Sequence, residues 1–257
     1  MKIAVITGAS SGLGREFVQI IGKNTQKVDA IWAIARRTER LKALQQMSIV
    51  PIRPLSLDLT DPASYNHLAA LIRSEQPTIA MVICAAGFGR LGRAATLSAA
   101  DNNAMIDLNC KAAVAVTSLC LPYTQKGSQI IEICSTAAFQ PMPDLAVYAA
   151  SKAFLQSYTK TLHHELLTRG IHVTAVCPYW IKDTEFIHKA QKHNAKSYHH
   201  FLFANRAHTV AALALNDSHL NLWVSTPGPV CLLHRIAAKF IPHFIMVPLM
   251  ALLKHVI

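Results

Sequence analysis

The sequence is poor in charge and especially poor in acidic residues. Charged residues make up 15% of the 257 residues, whereas apolar residues make up 52%. A chain this apolar can bury a core, which excludes an intrinsically disordered protein. Basic residues outnumber acidic ones by 25 to 14, giving a formal net charge of +11. Because they are spread along the chain instead of clustered in a block, we expect no nucleic-acid partner.

Several other features are missing. None of the six cysteines forms a Cys-x-x-Cys pair, so we expect small buried thiols in a reducing compartment. Neighbouring histidines such as His163 and His164 point in different directions on a helix or strand, and no metal site is expected. The N-terminal apolar run is too short for a signal peptide, and Pro242 and Pro248 interrupt the longest uncharged stretch of residues 227–257. These features favour a cytoplasmic protein without a spanning helix.

Short apolar runs alternate with longer helical patterns over most of the chain. The predicted strands are Ile3–Thr7, Ala30–Ala35, Val50–Leu55, Ala80–Ala85, Gln129–Ser135, Ile171–Pro178 and Leu220–Ser225. The predicted helices are Gly14–Lys23, Thr38–Met47, Pro62–Ser74, Ala100–Leu121, Tyr148–Thr168 and Asn205–Asn216. This alternation predicts an α/β fold, a doubly wound parallel sheet of Rossmann type with about seven strands and helices on both faces.

The domain organisation is predicted from the two regions in which strands and helices no longer alternate. Residues 1–226 are expected to form one catalytic domain. Residues 183–204, rich in Lys, His, Phe and Tyr, are predicted to be an inserted helical flap, here called the lid. Residues 227–257, here called the tail, are apolar and basic without an acidic residue. The tail is predicted either to lie in a membrane interface or to pack over the substrate cleft or a neighbouring subunit.

A glycine-rich turn follows the first predicted strand. It reads Thr7-Gly8-Ala9-Ser10-Ser11-Gly12-Leu13-Gly14. Glycines at this place allow a tight turn and let backbone N–H groups approach a pyrophosphate at the start of the next helix. A tight turn without a ligand is the alternative interpretation. No Gly-Lys-Ser/Thr follows, so a nucleoside triphosphate site is not supported.

The end of the second predicted strand indicates which dinucleotide binds. An acidic residue there would bind the ribose 2′-hydroxyl of NAD, but this chain has Arg36 and Arg37. A guanidinium can hold the 2′-phosphate of NADP through paired charge-assisted bonds. NADP(H) is therefore favoured over NAD(H), with solvated surface arginines as the alternative.

A tyrosine and a lysine open the helix that follows the fifth predicted strand. Tyr148 and Lys152 are four residues apart and therefore share a helix face. A nearby ammonium would lower the pKa of the phenol from about 10 towards the working pH. Ser135 ends the preceding strand, at the sheet edge where ligands bind in open α/β folds. Together the three residues predict proton transfer to or from a carbonyl or alcohol oxygen.

These motifs, in this order, resemble the short-chain dehydrogenase/reductase family over about residues 1–226. The resemblance implies these cofactor contacts: Gly8, Ser10, Ser11, Gly12, Leu13, Gly14, Arg36, Arg37, Asp58, Leu59, Ala85, Ala86, Gly87, Asn109, Tyr148, Lys152, Pro178, Ile181 and Thr184. Two departures stand out. Cys84 and Ala85 replace the family's two asparagines, and Tyr179 replaces the glycine that usually follows the proline.

The resemblance also implies roles in catalysis. Tyr148 would exchange the proton with the substrate oxygen, and Ser135 would hydrogen-bond that oxygen. Lys152 would lower the tyrosine pKa and hold the nicotinamide ribose, and Asn109 would anchor a water of the proton relay. The expected reaction is hydride transfer between NADP(H) and a carbonyl or secondary alcohol.

The substrate and the assembly are expected from weaker features. Lid aromatic residues favour a hydrophobic substrate, such as a sterol-like ketone or a fatty acyl derivative; the residues are Phe186, Tyr198, Phe201 and Phe203, with Tyr179 and Trp180 below. The family's subunit contacts imply a homodimer or homotetramer through the helices that carry Asn109 and Tyr148. A 3-oxoacyl carrier-protein reductase and a non-catalytic nucleotide-binding regulator are the alternatives.

Overall fold

The computed structural model describes residues 1–24, 26–191, 201 and 203–253. Among these residues, parallel strands form one seven-stranded sheet with the order β3-β2-β1-β4-β5-β6-β7. The strands are β1 Lys2–Thr7, β2 Ala30–Ala35, β3 Ile52–Ser56, β4 Thr78–Cys84, β5 Thr124–Ile133, β6 His172–Val176 and β7 Val224–Ser225. The strand order reverses between β1 and β4, and such a switch point opens a crevice at the carboxyl ends of the strands.

The helices fill the connections between the strands. They are α1 Gly12–Ile21, α2 Thr38–Gln45, α3 Pro62–Glu75, α4 Ala99–Ile106, α5 Ala112–Cys120, α6 Ala146–Leu166, α7 Phe186–Ala190, α8 Ala207–His219, α9 Pro229–Phe240 and α10 His243–Leu253. One apolar core contains residues of α1, α2 and α8, and a second contains residues of α3, α5 and α6. The sheet is therefore covered on both faces, and the predicted doubly wound fold is confirmed.

The helix predicted over Ala100–Leu121 is interrupted. Between α4 and α5, the segment Asp107–Lys111 forms a π-helical turn. Such turns are rare and occur often at functional sites, because the extra residue changes the direction of a side chain. Asn109 lies in this turn and is 1% exposed.

The same helical run has the length and apolar composition of a membrane span, although neither property distinguishes a span from a core helix. Its residues Ala112, Ala113, Val116 and Cys120 lie in the core under the sheet. We therefore interpret it as a core helix of this domain. All six cysteines are buried free thiols, as expected.

Candidate active site

The glycine turn is packed tightly against the ends of β1 and β4. Gly8 has a φ of +68°, and a Cβ atom on it would lie 2.8 Å from backbone atoms of Ala85 and Ala86. A Cβ on Gly14 would lie 2.4 Å from the carbonyl oxygen of Gly8. The Thr7 hydroxyl accepts a hydrogen bond from the Ala86 N–H at 3.0 Å. Only glycine fits at both positions, and the result is a helix N-terminus at the crevice, a suitable place for a pyrophosphate.

The two arginines after β2 lie in different surroundings. Arg37 donates from Nε to Ser10 Oγ at 3.1 Å and from Nη2 to Ser11 Oγ at 2.6 Å. Its guanidinium therefore lies beside the glycine turn. Arg36 instead has a 71% exposed side chain and lies 3.7 Å from the carboxylate of Asp58. Of the two predicted contacts, Arg37 is the one that lies with the serines of the turn.

The predicted adenine contacts after β3 divide between surface and core. Asp58 Oδ1 accepts hydrogen bonds from Thr60 N at 3.0 Å and Thr60 Oγ1 at 2.7 Å. Leu59 is 4% exposed and packs in the core under the sheet. Only its backbone is therefore available to a ligand.

Asn109 and Lys152 converge on Gly87, just beyond the end of β4. A Cβ atom on Gly87 would lie 2.9 Å from Asn109 Oδ1 and 3.4 Å from Lys152 Nζ. The Asn109 amide is fixed by the Phe88 N–H at 3.0 Å, the Phe88 carbonyl at 2.9 Å and Ser151 Oγ at 3.1 Å. The absence of a side chain at Gly87 leaves space beside an amide oxygen and an ammonium.

Lys152 is buried, and no acidic side chain among the described residues lies at hydrogen-bond distance from it. It is 4% exposed, and Nζ donates to the Ile133 carbonyl oxygen at 2.7 Å. Nζ lies 5.8 Å from the centroid of the Tyr148 ring. Burial lowers the pKa of Lys152, because the charged ammonium is less well solvated in the interior.

Tyr148 lies next to Ser135 and is 7% exposed. Burial raises the pKa of the Tyr148 phenol, and a hydrogen bond with Ser135 opposes that shift. Ser135 Oγ also accepts a hydrogen bond from the Ala137 N–H at 3.1 Å. The net shift is therefore upward and not downward as expected, because the phenolate is poorly solvated in the interior. The role of Lys152 in tuning this pKa stays a prediction. The phenol is neutral at neutral pH, which is the proton-donating form.

Aromatic residues of the lid cover Tyr148. The rings of Tyr148 and Phe186 lie 5.6 Å apart, and Phe201 belongs to the same apolar cluster. Phe203 is 80% exposed, so its predicted place in the pocket is wrong; its φ of +61° accompanies a turn that directs the ring outwards. Tyr198 lies outside the described residues.

The segment after β6 connects the crevice with the lid. The Pro178 carbonyl accepts a hydrogen bond from Thr136 N at 3.0 Å, beside the Ser135 turn. Thr184 Oγ1 donates to the Ile181 carbonyl at 3.1 Å, and its methyl group would lie 3.5 Å from a Cβ on Gly12. Thr184 therefore packs on the glycine turn.

The tail packs over the same site. The Cys231 thiol of α9 is buried and accepts a hydrogen bond from Tyr179 N at 3.2 Å. The rings of His234 and Phe139 meet edge to face at 5.8 Å, and Met250 of α10 joins the apolar cluster of Tyr148. These contacts place the tail against the segment after β6 and the apolar cluster of Tyr148, and the role of the tail stays a prediction.

Glu185, at the start of the lid helix, was missed by the sequence analysis. Its carboxylate accepts hydrogen bonds from Arg37 Nη1 at 2.8 Å and from Lys189 Nζ at 2.5 Å, and it also pairs with Arg40. The i, i+4 spacing to Lys189 was the only signal in the sequence, since Arg37 lies 148 residues away.

The crevice, the glycine turn and the Ser–Tyr–Lys arrangement define a nicotinamide-dependent oxidoreductase. The family model for short chain dehydrogenase matches residues 2–195. An uncharacterized oxidoreductase of Staphylococcus epidermidis is 31% identical over 179 residues, 69% of this chain and 76% of that one. Sulfoacetaldehyde reductase 2 of Chromohalobacter salexigens is 33% identical over 193 residues, 72% of this chain and 74% of that one.

A solved structure agrees with this assignment. The short-chain dehydrogenase from Sphingobium yanoikuyae, in complex with NADPH, superposes with a TM-score of 0.76 at 26% identity, covering 88% of this chain and 87% of that one. The chain belongs to the short-chain dehydrogenase family.

Proposed function

We propose that this protein is an NADPH-dependent reductase of hydrophobic ketones or aldehydes, with the reverse oxidation as its alkaline reaction. The observation that carries the proposal is the buried Tyr148 phenol, which hydrogen-bonds with Ser135 inside an apolar cluster beside the cofactor crevice. A regulatory protein without catalysis would not need this set of residues in one buried site.

NADP(H) is favoured by the charges at the end of β2. Arg37 and the hydroxyls of Ser10 and Ser11 form one hydrogen-bonded group. A 2′-phosphate is a strong acceptor and pairs well with a guanidinium and hydroxyls. The relative from Sphingobium yanoikuyae, which binds NADPH, is consistent with this choice.

The residues of the chain perform the proton chemistry. A bound nicotinamide supplies the hydride. Tyr148 donates its phenolic proton to the carbonyl oxygen, and the Ser135 hydroxyl stabilises the charge that develops there. Lys152 then stabilises the phenolate, and Asn109 holds the space beside Gly87 in which a water can return the proton. Because burial raises the pKa of Tyr148, we expect reduction to proceed at neutral pH and oxidation to accelerate as the pH rises.

The apolar cover of Tyr148 favours a hydrophobic substrate, such as a sterol-like ketone or a fatty acyl derivative. Phe186 contacts the Tyr148 ring, and Trp180, Phe201 and Met250 pack against the same apolar cluster. The test is a panel of sterol, acyl, carrier-protein acyl and small aliphatic carbonyls, with sulfoacetaldehyde included, each assayed with NADPH and with NADH. We expect the highest kcat/KM for a large apolar ketone with NADPH. Reduction of only small polar aldehydes would refute the substrate class, and a clear preference for NADH would refute the cofactor choice.

The outer face of the tail supports a second proposal, contact of a cytoplasmic enzyme with an anionic membrane surface. Its large apolar side chains are exposed: Leu233 at 65%, Phe240 at 75%, Phe244 at 78% and Leu252 at 74%. Arg235 and Lys239 lie on the same pair of helices, which contain no acidic residue. Apolar and basic residues together favour anionic lipid interfaces.

Vesicle sedimentation tests the membrane proposal. We expect the full chain to sediment with anionic phospholipid vesicles, and the double variant Phe240→Ser/Phe244→Ser to remain in solution. Phe203→Ser removes an equally exposed phenyl group from the lid and serves as the control. A wild-type protein that stays in the supernatant would refute membrane contact.

A homo-oligomer is supported by an apolar depression on the outer face of α4, α5 and α6. Its volume is about 560 Å³, and its lining includes Ile106, Val114 and Phe154. Phe154 is 50% exposed and Ile106 is 40% exposed. We expect light scattering to show a dimer or tetramer, and Phe154→Asp to dissociate it. A monomeric wild-type protein would refute the assembly.

A further inference from the structure

Glu185 connects the lid with the group of residues that would hold the cofactor phosphate. Its carboxylate pairs with Arg37, Arg40 and Lys189 at the mouth of the crevice. Arg37 in turn bonds both serines of the glycine turn. Hydrogen bonds therefore link the Glu185 carboxylate, through Arg37, to the serines at the N-terminus of α1.

This cluster has enough positive charge to bind an anion that is more highly charged than a carboxylate. Three cationic side chains surround one acidic group, so the cluster retains two positive charges. The guanidinium of Arg37 has no spare planar edge, because Nη1 bonds Glu185 while Nε and Nη2 bond the serines. A phosphate that binds Arg37 in the bidentate manner must therefore replace bonds that the cluster already contains.

We propose that Glu185 is a specificity-determining residue that competes with the 2′-phosphate for Arg37 and Arg40, so that NADP(H) releases residues 183–191 from the glycine turn and NAD(H) does not. The proposal rests on the proposed preference for NADP(H). A phosphate with about two negative charges displaces the carboxylate from the arginines, and Lys189 remains paired with Glu185 on the lid helix. NAD(H) has no 2′-phosphate and leaves the ion pairs of Glu185 intact. Thr184, next to Glu185, then stays packed against Gly12.

The cluster is partly exposed, which limits the size of the effect. The side chains of Arg37 and Glu185 are 36% and 35% exposed. Ion pairs at such sites are weak individually, and their effect decreases with salt. We therefore expect a change in affinity of about 3- to 10-fold for the set of pairs.

The experiment compares Glu185→Gln with wild-type protein by calorimetry of two probes, 2′,5′-ADP and 5′-ADP. Glutamine keeps the shape of the side chain and removes its charge. We expect 2′,5′-ADP to bind the variant about 3- to 10-fold more tightly and 5′-ADP to bind both proteins equally. Glu75→Gln is the matched control, because it breaks another partly exposed ion pair, with Arg53, at the opposite edge of the sheet.

Hydrogen exchange of residues 183–191 gives the second readout. We expect 2′,5′-ADP to increase exchange there in the wild type, and the unliganded Glu185→Gln protein to show the increased exchange already. Unchanged 2′,5′-ADP affinity in the variant, or equal exchange with both probes, would overturn the role of Glu185. If the wild type itself does not distinguish 2′,5′-ADP from 5′-ADP, the proposed preference for NADP(H) fails instead.

Discussion

Two regions at the carboxyl edge of the sheet hold their ionisable groups in opposite environments, one buried and one open to solvent. At the end of β5, Tyr148 and Lys152 are 7% and 4% exposed. At the ends of β1 and β2, Arg37 and Glu185 are 36% and 35% exposed. In the buried region desolvation shifts the pKa values, whereas in the open region paired charges dominate.

The difference follows from what each region does. Proton transfer needs a phenol in one protonation state at one place, and a low-dielectric site fixes both. Cofactor exchange needs a site that a phosphate can enter and leave, and water-exposed ion pairs reform quickly at little cost. We therefore expect large effects from substitutions in the buried region and smaller, salt-dependent effects from substitutions at the open edge.

The largest effect is expected for Tyr148→Phe. The variant lacks the proton donor, and general acid catalysis contributes about 10²- to 10⁴-fold to a rate. Steady-state kinetics with NADPH measures the loss in kcat, and calorimetry should show nearly unchanged NADPH binding. Tyr158→Phe, on the same helix but further from Ser135, is the control. Loss of NADPH binding in a normally folded Tyr148→Phe protein would show that the hydroxyl has a structural role.

The next largest effect is expected for Glu132→Gln, and it concerns the free energy of unfolding. This carboxyl is fully buried in β5 and accepts a hydrogen bond from Thr117 Oγ1 at 2.6 Å. Burial raises its pKa to about 7, above the ordinary 4.5. The folded state therefore keeps a proton that the unfolded state loses between these values, and this group's contribution to stability falls as the pH rises from about 4.5 to about 7.

Urea unfolding at several pH values measures this contribution. We expect the difference in unfolding free energy between Glu132→Gln and wild type to shift in favour of the variant by about 3 kcal/mol between pH 4.5 and pH 7.5. Glu165→Gln, which removes an exposed carboxyl of α6, is the control. A pH-independent difference would mean that Glu132 titrates normally.

A smaller effect is expected for Arg37→Ala at the open edge. Loss of charge-assisted bonds to the 2′-phosphate should weaken NADPH binding by about 10- to 100-fold and leave NADH binding unchanged. Arg36→Ala, one residue away but directed at Asp58, should change NADPH binding much less. Fluorescence titration with NADPH and with NADH measures both affinities. An equal loss of affinity for the two cofactors would contradict a 2′-phosphate contact.

The smallest effect is expected for Ser11→Ala. The hydroxyl lies 2.6 Å from Arg37 Nη2, and it orients the guanidinium without carrying charge. We expect NADPH affinity to fall by about 2- to 10-fold. Repeating the titration at higher salt should weaken NADPH binding in both proteins, while kcat at saturating cofactor stays constant. A larger loss than in Arg37→Ala would show that Ser11 itself is the main phosphate contact.

Motifs with local causes were predicted well. The second strand lies at Ala30–Ala35 as predicted, since its apolar run is bounded by polar residues on both sides. The glycine turn and the Tyr148–Lys152 spacing were also readable, because each depends on backbone geometry over a few residues. The start of the fifth strand was placed at Gln129, yet β5 begins at Thr124, because its pairing with β4 is made across the sheet.

The sequence by itself determined the doubly wound fold, the family and the order of the residues around the cofactor crevice, since periodicity, turns and short motifs act over short distances along the chain. Only the tertiary structure decided the state of those residues. Burial among the lid, the tail and the sheet raises the pKa of Tyr148, and Glu185 meets Arg37 across 148 positions. Desolvation and long-range ion pairs depend on which surfaces fold together, and no local pattern contains that information.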